Sequence, residues 1–98
     1  MREANPVEAA DALPVTPEQR RLVEFGEELY RRIAPDADLG HVLLPEDDAV
    51  AVVHRVRGGG TILVAADRSV LFFGSALDIS AALVDFRAGR RTPVEQFR

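Results

Sequence analysis

No cysteine occurs in the 98 residues, which excludes disulfide scaffolds, thiolate metal centres and cysteine nucleophiles together. The fold must hold by packing alone, a condition that suits a reducing cytoplasm. Lysine is absent too, since all twelve basic residues are arginine. The guanidinium fork suits bidentate phosphate contacts, but a GC-rich coding bias gives the same composition. No apolar run approaches the ~20 residues of a membrane-spanning helix, and the opening MREANPVEAADALP lacks the apolar centre of a signal peptide. A cytoplasmic protein with no membrane partner is expected.

Side chains for chemistry are equally scarce. The two histidines, His41 and His54, stand thirteen residues apart without a further nitrogen ligand for zinc. His54 reads as a residue at the rim of a core. Ser69, Ser75 and Ser80 are available, but none sits in a G-x-S-x-G elbow. Asp78 and Asp85 have the spacing of a solvated helix face, and nothing forms an acid–base pair. These absences point away from an enzyme, and no metal or cofactor is expected.

What is present suffices for one core. Domains commonly run to ~100–150 residues, and at this length roughly 60–70% of the unfolded chain's surface is buried on folding. Residues 1–48 hold twelve carboxylates against five arginines, a net of −7, while residues 49–98 hold four against seven, a net of +3. The total of −4 argues against nucleic-acid binding, which needs a strongly basic domain. The asymmetry suits steering of a basic protein toward the first half, and solubility alone would also account for it.

Residues 1–15 are rich in alanine and acid, broken by Pro6 and Pro14, and show no sustained period. They read as a flexible tail before a single domain over 16–98. Thr16-Pro17-Glu18-Gln19 has the form of a capping box with proline in the first helical position. Leu22, Phe25, Leu29 and Ile33 then recur at helical spacing, flanked by Val23 and Tyr30, until Pro35 stops the helix. His41 to Leu44 fits a short strand between Gly40 and Pro45. The run 49-AVAVVHRVR-57 is too rich in valine for a helix. As a strand it sets Val50, Val52, His54 and Val56 on one face and Ala49, Ala51, Val53, Arg55 and Arg57 on the other.

Two further strands, 61–65 and 70–73, are joined by 66-ADRS-69 in a hairpin pattern. Ile62, Val64, Val70 and Phe72 share one parity, Leu63, Ala65, Leu71 and Phe73 the other. A sheet with one wet face would alternate. The second face therefore needs a cover, either the C-terminal segment or a second copy of the chain. Ser75 is placed to cap the last helix, with Asp78 favourable to its dipole. Ile79, Leu83 and Phe86 form its inner stripe with Ala82 between them, Gly89 stops it, and Phe97 is set to pack back on the core. The fold class is α+β: an N-terminal helix, an antiparallel sheet of three to four strands, and a C-terminal helix packed on the sheet.

Gly58, Gly59 and Gly60 raise the question of a phosphate loop. Such a loop leads from a strand into a helix, whereas this one leads into another strand and lacks a following GK[ST]. The glycines are therefore assigned to a flexible turn. Glu46, Asp47 and Asp48 lack the ligand spacing of a calcium loop and read as an acidic turn. Arg87, Arg90 and Arg91 complement the dipole at the end of the last helix, or meet a phosphate or acidic partner. The residues assigned to partner contact are Glu46, Asp47, Asp48, Arg55, Arg57, Asp67 and Arg68.

The stretch 62-ILVAADRSVLFFGSALDISAALVDFRAG-89 resembles the C-terminal half of the YrhB-like domain family, small bacterial proteins that include immunity proteins of polymorphic toxin systems. Ile62 to Ala65 match that family's first strand, Asp67 its turn, Gly74-Ser75-Ala76 its small-residue segment and Phe86 its helical aromatic. Arg68 and Ser69 stand where the family more often has a glycine. The resemblance implies a toxin-neutralising or chaperone-like role and carries no site residues. The leading expectation is a non-enzymatic protein-binding module, with a toxin as the most concrete partner. The alternatives are a homodimeric accessory subunit joined through its doubly apolar sheet, or a small-ligand domain with a pocket near His54 and Arg55.

Overall fold

The computed structural model describes residues 15–56, 58–74 and 76–97. The tail expected over 1–15 lies, apart from Val15, outside the described residues. Helix α1 spans Pro17–Ile33 and begins with the expected capping box. The Gln19 N–H donates to Thr16 Oγ1 at 3.0 Å, and the Thr16 N–H donates to Gln19 Oε1 at 2.9 Å. Arg31 and Arg32 pair with Glu27 and Glu28 one turn back, which adds a few tenths of a kcal/mol per pair at most (about 0.2–0.5).

Strands β1 (Leu39–Leu44), β2 (Ala49–His54), β3 (Thr61–Val64) and β4 (Val70–Phe73) form one antiparallel meander in the order β1-β2-β3-β4. Val64 pairs with Val50 on one side and Val70 on the other; Leu63 pairs with Ala51 and Leu71. These rows carry the two parities read from the sequence. Val50, Val52, Ile62, Val64 and Val70 pack beneath α1 with Leu22, Leu29 and Tyr30. Ala49, Ala51, Leu63, Ala65 and Leu71 pack with Ala82 and Phe86 of helix α2, Ile79–Arg87. The molecule is thus layered helix, sheet, helix. The second apolar face is covered by the chain's own last helix, so the two-sided pattern does not call for a second copy.

The inner face of α1 differs from the expected stripe in one respect. Ile33 is 42% exposed. Tyr30 already reaches Gly60, the residue just before β3, so Ile33 overhangs the end of the sheet. Gly26, one turn from both Leu22 and Leu29, belongs to that face as well. A Cβ at Gly26 would lie 2.7 Å from Val52 Cγ2 and 3.0 Å from Val64 Cγ2. Glycine inside a helix is unfavourable by about 1 kcal/mol, but here it lets the α1 backbone settle onto β2 and β3.

The cap of α2 also differs. Asp78, not Ser75, is the N-cap: its Oδ1 accepts the Ala81 N–H at 2.8 Å. Ser75 lies outside the described residues. At the other end Gly89 takes φ +97°. The Arg90 N–H reaches the Asp85 carbonyl and the Gly89 N–H the Phe86 carbonyl, both at 3.0 Å, a Schellman ending. The chain then crosses the outer edge of β4, where the Thr92 N–H donates to the Val70 carbonyl at 2.7 Å and Thr92 Oγ1 accepts the Phe72 N–H at 3.0 Å. Phe97 ends buried on the α1 face, edge-on to Phe72 at 6.0 Å.

The glycine loop joins β2 to β3, as the strand-to-strand reading requires. Gly58 has φ +80°, but the expected flexible tip is fixed at its far end. The Gly60 N–H donates to Tyr30 Oη at 3.0 Å, and the Tyr30 hydroxyl donates to the Gly60 carbonyl at 3.1 Å. A Cβ at Gly60 would lie 2.9 Å from both the Phe72 ring and the Phe73 carbonyl. The His54 and Phe72 rings meet the Tyr30 ring edgewise at 5.3 and 6.0 Å.

Burial raises the Tyr30 pKa, with the Gly60 hydrogen bond acting against it. The folded state therefore keeps a proton that the unfolded phenol releases near pH ~10. Stability should hold below that pH and fall as pH rises above it. Tyr30 is the sole tyrosine, so its ultraviolet absorbance reports the event directly. Tyr30→Phe should lose about 1–3 kcal/mol at neutral pH, because the buried Gly60 N–H loses its acceptor, and the alkaline loss should disappear. Urea unfolding as a function of pH measures both.

Candidate functional site

A meander of consecutive hairpins places its first and third connections at one end and its second at the other. The β1–β2 turn, with Glu46, Asp47 and Asp48, therefore shares an end of the sheet with the β3–β4 turn, with Asp67 and Arg68. Arg55 lies at the opposite end, folded over Gly40 with its Nε 2.5 Å from where a Cβ would stand. Arg57 lies outside the described residues. Five of the seven candidate residues are thus brought together and Arg55 is not.

Both turns at the shared end hold a charged residue in left-handed backbone. Pro45–Asp47 form a single 3-10 turn, closed by the Asp48 N–H donating to the Pro45 carbonyl at 3.2 Å, with Asp48 at φ 49° and ψ 42°. In the β3–β4 turn the Arg68 N–H donates to the Ala65 carbonyl and the Ala65 N–H to the Ser69 carbonyl, both at 2.8 Å. That closes a three-residue hairpin loop whose last position is normally glycine. Here it is Arg68 at φ 71°. Asp67 Oδ1 accepts the Ser69 N–H at 2.9 Å and the Ser69 hydroxyl at 2.7 Å, which fixes the turn through a side chain. Those hydrogen bonds, led by the hydroxyl, hold the Asp67 carboxyl below the ordinary range.

The end of α2 grips both turns. Arg87 makes a two-pronged contact with Asp47, Nε to Oδ1 at 2.7 Å and Nη2 to Oδ2 at 3.0 Å. That hydrogen bonding lowers the Asp47 pKa and raises that of Arg87. The Asp47 side chain is only 13% exposed against 54% for Arg87, so the guanidinium covers the carboxylate. Arg91 donates to Ser69 Oγ at 2.7 Å and to the Phe86 carbonyl at 2.8 Å. Its guanidinium lies over the Phe86 ring at 4.0 Å. Arg90 pairs with Asp85 at 3.3 Å. The three arginines thus bind within the chain instead of standing as a cationic patch.

Between α2 and the first turn runs a shallow open cleft of about 250 Å³, lined by Leu43, Leu44, Pro45, Glu46, Asp47, Leu83 and Arg87. It sits at the turn end, away from the place near His54 and Arg55 where a pocket was expected. His54 is half-buried against Tyr30. Among the described residues, no three metal-ligating side chains come together, and no helix is long and apolar enough to cross a membrane. Glu46, Asp48, Asp67 and Arg68 remain exposed on a frame that Arg87 and Arg91 hold from behind. No family model, curated protein or solved structure matches this chain.

Left-handed backbone is unfavourable for a residue with a Cβ by roughly 1–2 kcal/mol, and glycine returns part of that gain through unfolded-state entropy (about 0.5–1 kcal/mol). Arg68→Gly should accordingly stabilise the protein by about 0.5–1 kcal/mol, while Arg68→Ala should leave it nearly unchanged. Paired urea titrations of the two variants check the sign.

Proposed function

We propose that this domain is a non-catalytic protein-binding module whose contact surface is the turn end of the sheet. The observation that carries the reading is the pair of exposed charged residues, Asp48 and Arg68, held in left-handed backbone on turns gripped by Arg87 and Arg91. Strained backbone of this kind concentrates at functional sites. Fixing the turns before contact reduces the ordering cost of association. Glu46, Asp48 and Asp67 outnumber Arg68 and the exposed Arg87, whose charge Asp47 already pairs, which suits a partner surface that is mainly basic. The specific form favoured by the resemblance to YrhB-like domains is neutralisation of a toxin, the acidic turns covering a basic surface of that partner.

Affinity purification of the tagged full chain from its native host should yield one protein in stoichiometric amount. Asp48→Arg and Arg68→Glu should each weaken the purified complex at least tenfold without lowering the melting temperature by more than a few degrees. Arg68→Gly should weaken it too, although that variant is the more stable protein. Failure to recover a stoichiometric partner, or binding indifferent to all three substitutions, would contradict the reading.

A further inference from the structure

The two edges of the sheet are treated differently. Thr92 pairs with Val70 and Phe72 along the outer side of β4, whereas among the described residues nothing pairs with the outer side of β1. The Arg55 N–H donates to the Asp38 carbonyl at 2.9 Å. With Leu39 opposite His54 and Gly40 opposite Val53, the antiparallel alternation turns Gly40, Val42 and Leu44 toward β2. Leu39, His41 and Leu43 therefore direct their N–H and carbonyl groups outward. The strand reads LGHVLL, and Val42 is 46% exposed. It contains none of the devices that normally protect an edge, which are lysine, proline, a bulge or an inward charge.

We infer that the outer edge of β1 takes up an added strand from a partner protein, an extended segment uncharged in its middle and basic at its ends. This rests on the protein-binding reading above and names the partner's contact chemistry. The charges select the occupant. Residues 36–48 contain five carboxylates and no arginine. Asp47 is engaged by Arg87, and Arg55, folded over Gly40, offsets part of the charge at the Asp38 end. Asp36 and Asp38 remain exposed before the strand, Glu46 and Asp48 after it.

A second copy paired antiparallel about His41 would bring Asp36 opposite Glu46, a like-charge contact that opposes it. The chain's own residues 1–14 carry Glu3, Glu8 and Asp11 against Arg2, with prolines at Pro6 and Pro14, so they repel the same ends and pair poorly. A basic-ended segment meets neither objection. Added strands draw affinity from main-chain hydrogen bonds and specificity from side-chain pockets, and the cleft supplies such a pocket. A residue opposite Leu44 projects toward the α2 face, where Leu44, Leu83 and Glu46 line the cleft and the charge of Arg87 is already paired with Asp47. A long basic side chain fits there, its stem on the leucines and its head at the Glu46 carboxylate.

The probe is a blocked seven-residue peptide of alternating valine and threonine with arginine at each end, and its control carries glutamate at each end. Amide hydrogen exchange of the full chain should slow at least tenfold at Leu39, His41 and Leu43 with the first peptide. The control should bind at least tenfold more weakly. His41→Pro removes an outward N–H at an edge position that tolerates proline, so it should abolish the protection while leaving the fold cooperative. No protection, or protection elsewhere, overturns the inference. Protection of the same amides that grows with protein concentration alone also overturns it, since the occupant is then a second copy. If the native complex survives His41→Pro but is lost in Arg68→Glu, the edge inference falls and the turn-end reading stands.

Discussion

Val50, Ala51, Val52, Ile62, Leu63 and Val64 are wholly withdrawn from solvent, although they belong to two neighbouring strands and point to both sides of the sheet. Burial of an aliphatic side chain of this kind contributes on the order of 1.5–3 kcal/mol, and exposing either face would forfeit its share. Two covers are therefore required. Helix α1 meets the requirement by close approach, its Gly26 backbone lying against Val52 and Val64. Helix α2 meets it with Ala82 and Phe86 over Leu63 and Leu71.

The two covers are fastened at opposite ends. Tyr30 ties α1 to the glycine loop through paired hydrogen bonds with Gly60. Helix α2 has only nine residues, too few to be stable alone, and its fastening is Arg87 and Arg91 reaching the two turns at the far end. That fastening immobilises the turns as well as the helix. The exposed charges of the two turns thus gain a rigid base from a contact whose first role is to keep the sheet dry. Edge β4 is sealed by the same C-terminal segment after it leaves α2, and among the described residues nothing pairs with the outer edge of β1.

Much of this could be read from the residues. The capping box at Thr16, the parity of the strands and the Gly89 stop are local patterns, and each formed as its chemistry dictates. The assignment of the glycines to a strand-to-strand turn also followed from local order. Contacts between distant residues left no such trace. Arg87 and Asp47 are 40 positions apart and Arg91 and Ser69 are 22, so no period relates them; only the clustering of arginines after α2 hinted at a role. Gly26 reads as a weakness in a helix until its neighbour across the layer is known. The left-handed backbone at Arg68 carried no signal in the sequence, because glycine is the residue that normally marks that loop position.

The claim on which the rest depends is that one chain covers both faces of its own sheet. Native-state hydrogen exchange of the β2 and β3 amides, followed over a range of protein concentrations and urea, tests it most directly. The expected result is that residues 50–53 and 62–64 exchange only through global unfolding, with protection independent of protein concentration. Exchange of Leu63 through a low-energy local opening, or protection that rises with concentration, would contradict it, because the second face would then be bare in the monomer and covered by another copy.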